Sequence, residues 1–207
     1  TFSTTLEPFQ QANTLLGREQ FILTLVSLSE KIPVTSAGVP VPCHSSSREV
    51  FNRHELKLRP DLVILCCGQT IGDGQTKLLH EFLRKLARIS VPIFALGAAS
   101  AVVAAAGMIK KGQCAAHWKT IGPLQEEFPG IDFVNVLFIV DGLAISCAGE
   151  FASFDLILGF IETTCRHRII GEICSHFIAC GRRSGGSVQM LSGDALICED
   201  ERFLGAL

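Results

Sequence analysis

The sequence predicts an α/β fold, a three-layer αβα sandwich with a mainly parallel sheet. Two apolar runs, DLVILCCG at 61–68 and VPIFAL at 91–96, have the length and continuity of strands buried on both faces, as in parallel sheets. The segment 74–89 between them is amphipathic, with charged residues on one side. Its apolar side holds Leu78, Leu79, Phe82, Leu83 and Leu86. Buried strands that alternate with amphipathic helices predict a sheet covered by helices on both faces.

Length and composition limit what the chain can be. Its 207 residues suit one domain, and 48% hydrophobic against 18% charged residues excludes disorder. A net charge of −2 without a basic stripe is unfavourable for direct nucleic-acid binding, and we interpret the pair Arg182–Arg183 as part of a solvated face. No apolar run reaches the roughly 18 residues that span a bilayer, and no signal peptide is visible, so we expect a cytoplasmic protein without membrane contact.

The chain has nine cysteines but no CxxC pair. Several of them lie inside apolar runs, which favours reduced, buried thiols in a reducing compartment. Their irregular spacing matches no standard zinc ligand set. We therefore expect neither a metal nor a cofactor.

In the first third of the chain the predicted elements are mostly short. Apolar positions at three- and four-residue steps predict a helix over 4–15, which Gly17 caps. The run 20–28 predicts a strand, and the Pro, Gly and Ser residues of 31–47 predict a short strand with a loop. A weaker helix is expected over 48–56.

The second half of the chain predicts three further helices and a hairpin. After the turn at Gly97, a helix of small residues runs over 99–106. Asp141-Gly142 joins two apolar runs, which is the strongest short hairpin signal. Helices are predicted over 150–164 and 168–178. The first of these carries an apolar stripe of Phe151, Phe154, Leu158 and Ile161.

The turn at Gly97 is the candidate site. A buried strand, a sharp turn and a helix in succession resemble a nucleophile elbow, but glycine supplies no nucleophile. The backbone N–H groups of Ala98, Ala99 and Ser100 would favour an anionic group such as a carboxylate. Because ligands of such sheets bind beyond the carboxyl ends of strands, Cys67 and Gly68 at the neighbouring strand end join the site. The alternative is a plain strand-to-helix turn.

Several motifs carry a family resemblance that covers nearly the whole chain. They are LEPFQQAN near the start, then AGMIKKGQCAAHW, LQEEFPGIDF, DGLAISCAG, FDLILGFIE and GRRSGGSVQ in this order. Together they resemble the class I glutamine amidotransferase-like (DJ-1/PfpI-type) sensor domain of AraC-family transcriptional regulators, in the branch that includes arginine-responsive regulators. The resemblance implies a flavodoxin-like, DJ-1-like fold.

The resemblance also assigns roles to individual residues. In the enzymes of this superfamily a Cys at the elbow pairs with a later His, and a Glu from the first helix faces the Cys. Here Gly97, or at latest Ala98, stands at the Cys position and His117 at the His position. Thr4 stands at the Glu position, with Glu7 close enough to leave that register open. A lone His cannot perform nucleophilic catalysis. His117 would instead donate a hydrogen bond to a ligand and Trp118 would wall the pocket; a structural His and a core Trp are the alternatives.

The resemblance therefore implies a non-catalytic domain that senses a small effector, amino-acid-like or another carboxylate, and self-associates as a homodimer. It divides the chain into an effector-binding domain over 1–183 and a linker over 184–207. DNA contact is expected only through a helix-turn-helix domain beyond Leu207. The first strand of the fold is hard to find, so the chain is either truncated or one strand short.

Three other functions compete with this interpretation. A DJ-1/PfpI-type cysteine hydrolase or amidase would need a Cys at the elbow. A glutamine amidotransferase subunit would also need a His-x-Glu pair, which the sequence lacks. A purely structural dimerisation domain would have a filled, dry space above Gly97.

Overall fold

The structure is a computed structural model that describes residues 1–28, 32–46, 49, 60–67, 73–165 and 169–189. The helices of these residues are α1 (Phe2–Leu16), α2 (Asp73–Arg88), α3 (Ala99–Ala105), α4 (Ile121–Glu127), α5 (Phe151–Cys165) and α6 (Ile170–His176). The strands are β1 (Val26–Ser27), β2 (Ser45–Ser46), β3 (Val63–Cys67), β4 (Ile93–Gly97), β5 (Gln113–Ala115), β6 (Asp132–Val134), β7 (Phe138–Ile139) and β8 (Ala144–Cys147). None of the helices described is both long and apolar enough to cross a membrane.

The central sheet has four strands in the order β3-β4-β8-β7. The first three are parallel to one another, and β7 is antiparallel to β8. Two further parallel pairs, β1-β2 and β5-β6, flank it. The predicted α/β architecture with a mainly parallel sheet is confirmed.

Strand β4 shows why the sheet needs a helical layer on each face. Its side chains alternate between faces, as in any strand. Phe94 and Leu96 belong to a core with α1, α5 and α6, whereas Ile93 and Ala95 belong to a core with α2 and α3. Every residue of β4 before Gly97 is buried, so the predicted three layers are confirmed around this strand.

Burial on both faces is confirmed for the run 91–96 and is wrong for residues 61–67, the described part of the run 61–68. In β3 only Leu65 is fully buried, and Cys66 is exposed. The reason is position, because β3 pairs within this sheet only with β4 and so forms its edge in the described part of the chain. Leu78, expected on the buried side of α2, is 49% exposed.

The first helix is confirmed at Phe2–Leu16, and Gly17 ends it in the left-handed conformation with φ of 63°. The strand expected over 20–28 shrinks to Val26–Ser27, and that expected within 31–47 shrinks to Ser45–Ser46. Apart from Glu49, the helix expected over 48–56 lies outside the described residues.

The hairpin at Asp141-Gly142 is confirmed, because Ile139 pairs with Ser146 in antiparallel register. The run before it is two strands rather than one, since β6 leaves the central sheet to pair with β5. Helix α5 lies where predicted, but Phe151 is 73% exposed and does not belong to a buried stripe. The last predicted helix is confined to Ile170–His176, and residues 166–168 lie outside the described residues.

Candidate functional site

The turn between β4 and α3 has the backbone of a nucleophile elbow. Gly97 ends β4 with φ of 63°, in the left-handed region that residues with a Cβ rarely adopt. Half-buried Ala98 follows, and α3 starts at Ala99. Strand, strained turn and helix therefore follow one another directly, with glycine at the turn.

The end of β8 approaches this elbow closely. A Cβ on Gly149 would lie 2.9 Å from the Cα of Gly97, closer than packed atoms come, and Gly149 itself has φ of 95°. A Cβ on Gly97 would meet the Cα of Gly149 at 3.8 Å, an ordinary contact. The approach therefore requires glycine at 149, whereas position 97 has room for a side chain that the sequence does not supply.

Helix α1 contributes a hydroxyl beside the elbow. The Thr4 hydroxyl donates to the backbone oxygen of Thr1 at 2.7 Å and also lies 3.2 Å from the backbone oxygen of Glu150, next to Gly149. Glu7, one turn further along α1, is exposed. Thr4 thus lies beside Glu150, and its assignment to the position that the resemblance gives to a carboxylate stays a prediction.

Two buried serines hold β5 against the elbow. The Ser100 hydroxyl donates to the backbone oxygen of Ala115 at 2.9 Å, and the Ala115 N–H donates to the Ser146 hydroxyl at 2.8 Å. Both serines are 0% exposed. The Ser100 side chain is thus engaged inside the protein, and Ala99 is also 0% exposed, so neither residue presents a side chain at the surface. Sequence reasoning missed Ser146, whose one signal is a hydroxyl inside an apolar run.

His117 and Trp118 follow β5 and are half-buried. Their rings stack with centroids 5.7 Å apart, and the Lys119 ammonium lies 5.1 Å from the Trp118 ring. His117 Nδ1 accepts the Lys119 N–H at 3.3 Å. In the neutral imidazole this arrangement leaves the hydrogen on Nε2, which is then a donor.

Across the sheet, Cys67 is the register partner of Gly97, so the two strand ends expected to form the site are adjacent. Gly68 lies outside the described residues. Gly97 and Cys67 thus lie together at one end of the sheet, and the hydrogen bond from Ser100 to Ala115 joins the start of α3 to β5.

A comparison with known families accounts for this order of an elbow followed by a His along the chain. Residues 4–163 match the model of the DJ-1/PfpI family. The chain belongs to the DJ-1/PfpI family. The family resemblance inferred from the motifs is confirmed, and with it the DJ-1-like fold.

Relatives of this DJ-1/PfpI domain are named as transcriptional regulators. The chain is 26% identical over 162 residues to the HTH-type transcriptional regulator GlxA of Rhizobium meliloti, covering 78% of this chain and 48% of that protein. It is 26% identical over 178 residues to the HTH-type transcriptional regulator GbdR of Pseudomonas aeruginosa, covering 86% of this chain and 47% of that protein. The chain therefore spans about half the length of these relatives.

The fold is also that of a solved regulator structure. The crystal structure of an AraC family transcriptional regulator from Pseudomonas putida superposes with a TM-score of 0.70 at 18% identity, covering 85% of this chain and 91% of that one. The expected similarity to transcriptional regulators is confirmed by the names of GlxA and GbdR, and the solved AraC family regulator shares the fold. The arginine-responsive branch stays a prediction.

The thiols near this end of the DJ-1/PfpI domain are held in the protonated form. Burial, with a smaller contribution from neighbouring Cys66, raises the pKa of Cys67 to about 12. Burial raises the pKa of Cys147 to about 11, and it also raises the pKa of Cys114. A thiol is nucleophilic as the thiolate, so these three are unreactive near neutral pH. Within the described residues, no three His, Cys, Asp or Glu side chains gather as a metal site.

The tail contributes residues that sequence reasoning missed. Gln189, 8% exposed, accepts the Trp118 N–H at 3.0 Å and donates to the backbone oxygen of Ala116 at 2.8 Å. Residues 184–189, assigned from the sequence to a linker, therefore pack against the domain, and the boundary at 183 stays a prediction. The motif GRRSGGSVQ held the signal, but its role was not recognisable without the fold.

The arginines of that motif are exposed, as expected for a solvated face, and each also pairs with a carboxylate. Arg183 Nη2 lies 2.7 Å from Oδ2 of Asp155, whose side chain is buried. Arg182 pairs with Glu162 at 2.9 Å. Both contacts tie the tail to α5, so these two cations are engaged within the fold.

Two grooves in the described part of the chain lie away from the elbow, beside the C-terminal end of α3. One, of about 280 Å³, is lined by residues that include Gly107, Lys110 and Phe128. The other, of about 310 Å³, includes Met108, Lys111 and Leu143. Neither contains a residue that the sequence analysis assigned to the site.

Proposed function

We propose that this DJ-1/PfpI domain is the non-catalytic, ligand-sensing and dimerisation domain of an AraC-family transcriptional regulator. One observation carries the proposal. The elbow at Gly97 has the left-handed backbone of a catalytic turn, with φ of 63°, and glycine where the chemistry would require a thiol. A site of this kind keeps its polar backbone groups and loses the ability to form a covalent intermediate.

The effector is a small amino-acid-like molecule or another carboxylate. Its negative group would be held by the backbone N–H groups of Ala98, Ala99 and Ser100 at the start of α3. His117 would add a hydrogen bond from Nε2, and Trp118 would close one side of the site. Cys67 is the register partner of Gly97, and together with Gly68 it would form a second wall of the site.

The regulatory part of the proposal is supported by the relatives. GlxA and GbdR are HTH-type regulators of about twice the matched length, so DNA contact would come from a part of the protein outside these 207 residues. The net charge of −2 agrees with that division. The homodimer rests on the family resemblance, since regulators of this kind read paired half-sites.

Binding is tested by thermal unfolding of the 207-residue chain against free amino acids and small carboxylates, with their amides, which lack the negative charge, as controls. A carboxylate at about 100 times its Kd adds roughly 2.7 kcal/mol of stability. Calorimetry on the best compound then compares wild type with His117→Ala, for which we expect weaker binding. The matched control is His176→Ala, because His176 also contacts an aromatic neighbour, Phe177, but lies on α6.

A bulky residue at position 99 would be a poor probe, because Ala99 lies in the core formed with α2. Ala98→Leu tests the elbow instead, since Ala98 is half-buried. If both His117→Ala and Ala98→Leu bind a stabilising carboxylate as wild type does, the effector site lies elsewhere. Light scattering that gives a monomer mass at high micromolar concentration would contradict the homodimer.

A further inference from the structure

The side chain of Gln189 joins three backbone groups that are distant from it in sequence. Its Oε1 accepts the Trp118 N–H at 3.0 Å, and its Nε2 donates to the oxygens of Ala116 at 2.8 Å and Val136 at 3.0 Å. Both Nε2 hydrogens are therefore used. The amide orientation is fixed by these partners, because a flipped amide would set its oxygen against two carbonyl oxygens.

Residues 184–189, which we call the strap, lie along β7. The Phe138 N–H donates to Gly185 and the Leu137 N–H donates to Ser187, at 3.1 and 3.0 Å. A Cβ on Gly185 would lie 2.6 Å from the Phe138 ring, so the close contact depends on glycine there. The strap is thus docked by its own backbone and by one buried side chain at its end.

A second glutamine shows what is particular about Gln189. Gln125 likewise spans two backbone groups, donating to Ile131 at 2.8 Å and accepting the Phe133 N–H at 3.1 Å. Its partners lie six and eight residues away, so it closes a local loop. The partners of Gln189 lie 53 to 73 residues away, on the segment that bears His117 and on the edge that holds the strap.

We propose that Gln189 is a positioning residue that couples the segment 116–118 to the docking of the strap. Ala116 and Trp118 flank His117, so a shift of that backbone changes the hydrogen bonds to Gln189. Conversely, release of the strap removes the partner of the Trp118 N–H. Two segments that share such bonds bias each other equally in both directions. The regulatory meaning rests on the proposed function, in which the strap leads from the effector site to the DNA-binding part.

The test is amide hydrogen exchange on the intact 207-residue chain without any effector. In Gln189→Ala and in Gln189→Met, which refills the buried space, we expect exchange to rise about tenfold at Trp118 and at Leu137, Phe138 and Ser187. Exchange in α1 and α5 stays unchanged. Gln125→Ala, the matched control, raises exchange at Phe133 and leaves the strap protected.

The reverse direction is tested at Trp118. Trp118→Pro removes the N–H that Gln189 accepts, and Pro suits the first residue of a helical turn preceded by an extended residue, as His117 is with ψ of 134°. Trp118→Ala removes the ring and keeps the N–H. We expect only the Pro variant to raise exchange at Ser187 and Gln189.

Two results would overturn the coupling. In one, Gln189→Ala and Gln189→Met raise exchange at Trp118 alone and leave 137, 138 and 187 protected. In the other, exchange rises in proportion across α1 and α5, which indicates only a loss of global stability. Because no effector enters the experiment, its failure is distinct from a failure to find a carboxylate ligand.

Discussion

The elbow at Gly97 and the thiols on the neighbouring strands differ in what each lacks for cysteine chemistry. The elbow has the strained backbone but no nucleophile. The strands beside it carry thiols, Cys67 at the end of β3 and Cys147 at the end of β8, on unstrained backbone where burial raises the pKa to about 12 and about 11. A nucleophilic cysteine needs the exposed turn and a thiolate at the same residue; here the turn has no thiol and the neighbouring thiols keep their protons.

The largest effect is expected from Gly149→Ala, which breaks the approach of β8 to the elbow. Its new Cβ would lie 2.9 Å from the Cα of Gly97, and backbone cannot move aside as a side chain can. We expect a loss of roughly 2–5 kcal/mol in the free energy of unfolding, measured by chemical denaturation. The control is Gly142→Ala, where φ is 65° but nothing lies within 4 Å, and roughly 1 kcal/mol should be lost. Equal losses would mean that the approach does not matter.

Gly97→Cys places a thiol on the strained backbone and tests whether it is more reactive there than the buried thiols are. Position 97 has room for a Cβ, so the cost is conformational and should be roughly 1–3 kcal/mol. We expect the new thiol to be alkylated by iodoacetamide at neutral pH faster than Cys67 or Cys147, as mapped by mass spectrometry. Alkylation of Cys67 and Cys147 before the introduced thiol would show that the elbow does not expose its side chain.

The pH dependence of stability is a smaller effect, which tests whether the buried thiol of Cys147 keeps its proton in the folded state. Burial raises the pKa of Cys147 from 9.0 in the unfolded chain to about 11 in the fold. The folded state then holds the proton more tightly, so this contribution is complete below pH 9 and is lost as pH rises towards 11. Unfolding titrations should show a shallower decline above pH 9 in Cys147→Ala than in wild type. Parallel curves would mean that this thiol titrates normally.

The smallest expected effect is on catalysis, where the hydrolase alternative predicts a change and the sensor does not. Wild type should not turn over ester, peptide or 2-oxoaldehyde substrates, because the elbow lacks a nucleophile. Cys66→Ser, Cys67→Ser and Cys114→Ser should then equal wild type. Turnover that one of these substitutions abolishes would place the nucleophile at that cysteine.

Local patterns predicted the parts of the fold that local forces determine. Helix α1 with its Gly17 cap, strand β4, helix α3 and the hairpin at Asp141-Gly142 all follow from periodicity or turn chemistry within a few residues. The run 20–28 has the composition of a strand but pairs over only two residues, since pairing depends on a partner elsewhere in the chain.

The candidate site was likewise predictable only where strand ends or the family resemblance indicated a residue. Gly97 and its neighbour Cys67 follow from the strand ends, and His117 followed from the family resemblance. The buried hydroxyls of Ser100 and Ser146 and the amide of Gln189 act on backbone groups 15, 31 and up to 73 residues away. No spacing in one sequence reveals such contacts, because they exist only once the chain is folded.

In our proposal, the elbow end of the sheet binds a small carboxylate without reacting with it. Backbone amide NMR of the 207-residue chain, titrated with the amino acids and carboxylates that raise its melting temperature, tests this directly. We expect reversible shifts at Gly97, Ala98, His117 and Trp118, with the compound recovered unchanged. Shifts that cluster instead at Gly107, Lys110 and Phe128, in the groove beside the end of α3, would contradict it.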